Sequence, residues 1–153
     1  MKASLLQLAF GFLVLVLSAG AEEFLPKPFG VGFPFLLSAV QVLALGTGTW
    51  PFAVVIAVCA GALEDGLSAL PPMTSVSYFL MCAVLVRRLG FPQAMMALTY
   101  PCYQLWLMVW TSGLGGGVFL RFLLAFPLGF VTALVVGVAV GWGRKEAAID
   151  EQG

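Results

Sequence analysis

Charged residues interrupt this chain rarely, and the uncharged stretches between them are residues 3–21, 28–63, 66–86, 89–120 and 122–143. The apolar runs inside these stretches are continuous rather than alternating, which reads as helix and not as barrel strand. A helix needs about 20 residues to cross a bilayer. The stretch 28–63 holds most of two helices, because Gly46-Thr47-Gly48-Thr49-Trp50-Pro51 has the composition of a turn followed by a helix start. The stretch 89–120 holds one, Ala94 to Thr111, and then a glycine-rich loop from Ser112 to Gly117. The predicted apolar segments are Leu5 to Leu17, Gly30 to Leu45, Pro51 to Leu70, Met73 to Val86, Ala94 to Thr111 and Val118 to Val140. The expected fold is an all-α integral membrane protein. Residues 1–143 form a compact bundle of six transmembrane helices, and residues 144–153 form a short, charged, frayed cytoplasmic tail.

Composition strengthens that picture. The chain has 153 residues, 61% hydrophobic and only 9% charged. Soluble domains carry about 25% charged residues, and a chain this small cannot enclose so much apolar surface in its own core. A soluble enzyme, a disordered linker and a nucleic-acid binder are excluded as classes. The formal net charge is zero, so no overall field points to an acidic partner. Histidine is absent, which removes the commonest general base and metal ligand. Cys59, Cys82 and Cys102 form no Cys-x-x-Cys pair and sit in apolar runs, where cysteine acts as a small hydrophobe. Each is expected to be buried packing. No metal, cofactor or enzyme activity is expected.

The charges orient the bundle. With the N-terminus inside and six spans, Lys2, Arg87-Arg88 and Arg144-Lys145 are all cytoplasmic, and only Lys27 and Arg121 are outside. This obeys the positive-inside rule and puts both termini inside. Met1 to Glu22 also has the form of a signal peptide, with Ala19-Gly20-Ala21 as the cleavage site. Cleavage leaves the orientation of the remaining spans unchanged.

Glu64-Asp65 is the most informative pair. A third helix ending near Leu70, before Pro71-Pro72, encloses both acids at a depth that is costly unless they face protein or water. If the helix instead ends at Leu63, they lie in a loop. Asp65 is expected to face inward, with Arg121 as candidate partner or as a snorkelling side chain. Thr99, Tyr103, Trp106 and Trp110 line one face of the fifth segment, as cavity wall, partner groove, aromatic belt or plain packing, and Pro101 kinks it. Gly129, Ala133, Gly137 and Gly141 form a small-residue ladder for close helix packing. Thr74, Ser75, Ser77 and Tyr78 supply hydroxyls that can cap the fourth helix or bond to the acids.

Pro34 to Gly90 resembles the bacterial rod shape-determining MreD family. The resemblance rests on Pro34, the Gly46 to Gly48 turn, Gly61-Ala62-Leu63-Glu64-Asp65-Gly66-Leu67-Ser68, Pro71-Pro72, and the helix from Tyr78 that ends at Arg87-Arg88. Gly66 directly after Asp65, and the absence of glycine between Ala69 and Thr74, depart from the family pattern. The resemblance implies a retained first helix. It also implies a non-enzymatic scaffold of the cell-wall elongation machinery in the bacterial inner membrane, involved in cell shape and peptidoglycan synthesis and partnering an MreC-like protein. The substrate-binding S components of energy-coupling factor transporters are similar in size, span count and acidic helix end. Small-molecule uptake is therefore the alternative expectation.

Overall fold

The computed structural model describes residues 2–27, 31–46, 49–89, 93–111 and 117–150. They form α1 (Lys2–Phe24), α2 (Phe35–Gly46), α3 (Trp50–Leu67), α4 (Thr74–Leu89), α5 (Gln93–Thr111) and α6 (Val118–Asp150). No strand occurs among the described residues. The expected all-α fold is present. Among the described residues, three segments are long and apolar enough to cross a membrane: Leu5–Phe24, Trp50–Leu67 and Phe119–Val140. That points to a membrane protein.

The shortest helix is the centre of the molecule. α2 has 12 residues, about 18 Å at 1.5 Å per residue. It starts later than the predicted Gly30, after Pro34, where the Ser38 N–H donates to the Pro34 carbonyl at 3.0 Å. α2 touches all five other helices, and Leu36, Leu37, Ala39, Val40, Leu43 and Ala44 are all buried. A helix that is apolar all round is stable where protein surrounds it. α1 is the opposite case. Its Gly11, Leu15 and Ser18 face inward, whereas Leu5, Leu6, Leu13, Val16 and Leu17 are exposed. An exposed apolar stripe of that kind suits hydrocarbon.

Each boundary has a local cause. Thr49 is extended and Pro51 stands in the first turn of α3, where a missing N–H costs nothing. α3 ends at Leu67, three residues before the predicted Leu70. Ala69 takes φ 50°, and the Leu70 N–H reaches back to the Asp65 carbonyl at 3.0 Å. This 6→1 bond over a left-handed residue stops the helix before the prolines can. Pro101 lies inside α5, and Pro127 inside α6. α6 continues to Asp150, so residues 144–150 are helical rather than frayed. Arg144, Lys145, Glu146, Ala147 and Ala148 are good helix formers, and no Gly or Pro follows Gly143 before Asp150. Residues 47–48 of the predicted turn and 112–116 of the predicted loop lie outside the described residues, as do 151–153.

Two helix pairs are the most extensive, α5 with α6 and α3 with α4. In the second pair, a Cβ on Gly61 would stand 2.4 Å from the Val76 Cα and 2.6 Å from the Val76 N. The two backbones touch there, and only glycine allows it. On α6, Gly129 and Ala133 are buried, and Ala133 packs beside Val86 of α4. Gly137 is half-buried. The surroundings of Gly141 lie outside the described residues.

Candidate functional site

Glu64 and Asp65 both lie inside α3, and their side chains go to different places. Asp65 is buried, and its Oδ1 accepts the Ser75 backbone N–H at 2.7 Å. Ser75 stands in the first turn of α4, where free N–H groups need acceptors. An acid from one helix thus caps the next, with the helix dipole in its favour. The Ser75 hydroxyl pairs with the Tyr103 hydroxyl of α5 at 2.6 Å. Trp106 Nε1 donates to the Thr74 carbonyl at 3.0 Å. Asp65, Tyr103 and Trp106 therefore meet around the start of α4. Trp110 meets Trp106 in a tilted ring contact with centroids 5.9 Å apart, but is mostly exposed.

The hydroxyls at the start of α4 mainly donate rather than cap. Thr74 Oγ1 bonds to the Pro71 carbonyl, Ser77 Oγ to the Thr74 carbonyl, and the Tyr78 hydroxyl to the Thr99 carbonyl. Deeper in the bundle, the buried Gln41 amide donates to the Thr99 hydroxyl, and Ser38 donates to Thr132 at 3.4 Å. At the opposite end, Arg87 donates to the carbonyls of Ala44 and Thr49 and lies 4.9 Å from the Trp50 ring centroid. The expected burial of all three cysteines holds for Cys82 alone. Cys59 is half-buried and Cys102 is exposed. Cys102 follows the buried Pro101 on the outward face of α5.

Glu64 points the other way, into a cavity of about 210 Å³ lined by residues from α1, α2, α3, α4, α5, α6 and the 31–34 segment. Glu22, from the end of α1, lies within hydrogen-bonding reach of Glu64. The Leu36 N–H at the start of α2 is directed at the Glu22 carboxyl group. Glu22 Oε2 is fully shielded and has no hydrogen-bond partner. Leu37, Phe79, Tyr100 and Tyr103 form the buried floor, and Glu23, Lys27, Ser68, Thr111 and Arg121 form the exposed rim. Tyr100 is fixed by a hydrogen bond from its hydroxyl to the Gly32 carbonyl. Lys27 Nζ pairs with Glu23 Oε1 at 3.2 Å. No ion pair joins Arg121 to Asp65 among the described residues. Arg121 belongs to the cavity rim instead.

Sequence reading passed over Glu22 and Tyr100. The signal for Glu22 was present, since in an up-and-down bundle the end of α1 and the end of α3 share one side. No group of three or more metal-ligating side chains occurs among the described residues. Comparison with family models, with curated proteins and with solved structures returns no match.

Proposed function

We propose that this chain is a non-enzymatic membrane scaffold of the MreD type, with six spans and both termini in the cytoplasm of a bacterial inner membrane. One observation carries the reading. The residues on which the resemblance rests, Gly61, Asp65 and the segment after Pro71-Pro72, form a single interlocked unit: Gly61 admits the α4 backbone and Asp65 caps it. The orientation follows from Lys2, Arg87-Arg88 and Arg144-Lys145 on one side. The unit would hold a fixed helix surface to a bitopic partner of the MreC kind. The test is co-purification with an MreC-like protein from membranes. The wild-type chain is expected to retain the partner, Asp65→Ala to lose most of it, and Asp65→Asn to keep it. Absence of the partner from wild-type preparations overturns the reading.

A second reading is favoured by the cavity, which is a place for a small solute at one end of the bundle. It makes the chain a substrate-binding subunit of the S-component type. Recovery of a transport ATPase module in the same purification, in place of an MreC-like protein, would establish it.

A further inference from the structure

We propose that the cavity at the Glu22 end binds a primary ammonium group, held by the Glu22 and Glu64 carboxylates against the rings of Tyr100 and Tyr103. The site stands on geometry that holds under either reading of the whole protein.

Two acids from separate helices, α1 and α3, converge on one part-open cavity. A carboxylate oxygen shielded from water and left without a donor is destabilising by roughly 1–3 kcal/mol or more, and Glu22, a residue of the cavity wall, carries such an oxygen in Oε2. One rim cation is shared among three acids: Lys27 pairs directly with Glu23 and acts on Glu22 and Glu64 by charge alone, while Arg121 lies exposed at the rim. A primary ammonium offers three donors and one positive charge, enough to bridge both acids. Tyrosine rings add cation–π attraction where a cation is desolvated. The aromatic floor, and the absence among the described residues of any group of three or more side chains placed to hold a metal ion, favour an organic cation over a metal ion. The volume, about 210 Å³, is below the roughly 300 Å³ of the smallest drug-sized pockets, so the occupant is a few carbons long or is the headgroup of a lipid.

The experiment uses the purified full chain alone, so it stands or falls separately from partner capture. Binding of n-butylammonium, its neutral isostere n-butanol and sodium is measured by calorimetry in detergent. The wild type is expected to bind n-butylammonium saturably. Glu22→Gln combined with Glu64→Gln is expected to weaken binding at least tenfold, with helix content unchanged by circular dichroism. Tyr103→Leu gives an independent reduction should the double variant fail to fold. In lipid nanodiscs, competition by phosphatidylethanolamine but not phosphatidylglycerol would assign the ammonium to a headgroup, and its absence to a free amine. Equal binding of n-butanol, displacement by equimolar sodium, or undiminished binding in the folded double variant would overturn the proposal.

Discussion

Asp65 is the residue on which the α3–α4 corner depends. Its carboxylate accepts the Ser75 N–H, one of the first-turn donors that have no acceptor within α4 itself. Asp65→Ala is expected to lower stability by about 1–3 kcal/mol, the range for losing a cap and a charge-assisted bond in a buried setting. Asp65→Asn retains an acceptor and is expected to lose about 1 kcal/mol or less. Unfolding by dodecyl sulfate titration in mixed micelles measures both. The inward direction of Asp65 was legible from its depth in an apolar helix. Its partner was not, since a backbone N–H leaves no mark in a sequence, and Arg121 was a visible cation that the expected topology placed on the same side. Glu22 escaped for a related reason. It stands beside Ala19-Gly20-Ala21 and reads as the end of a hydrophobic run, although its carboxyl group meets Glu64 from another helix.

Elements were legible where proline, glycine and charge punctuate the chain, and less so where three-dimensional contact decides. Pro51, Pro71-Pro72 and Arg87-Arg88 mark real boundaries of α3 and α4. The early stop of α3 was hidden because it depends on Ala69 adopting a left-handed conformation rather than on a glycine. The shortness of α2 was hidden too. Gly30 to Leu45 reads as one apolar span, yet Pro34 delays the helix and its neighbours enclose it on all sides. Gly61 makes the α3–α4 contact. Gly61→Ala forces a methyl into the Val76 backbone and is expected to destabilise by about 1–3 kcal/mol or more. The same dodecyl sulfate titration, with disulfide crosslinking between α3 and α4 as a readout of spacing, checks it. Wild-type stability with wild-type crosslinking in that variant would contradict the close approach.

At the scale of the whole molecule, the two ends differ in chemistry. One end carries Glu22, Glu64 and Asp65, with the cavity between helices. The other carries Arg87 clamped on the α2–α3 connection. In the proposed orientation the cationic end stays in the cytoplasm, and the cavity opens to the outside, the side from which a solute or headgroup would arrive. The most direct test of the account is labelling of single cysteines by a membrane-impermeant maleimide, in a background without native cysteines and in right-side-out vesicles. Ser68→Cys, on the cavity rim, is predicted to react from outside, and Arg88→Cys only after the vesicles are permeabilised. Reaction of both from the same side would contradict the bundle orientation and the outward-facing acidic end together.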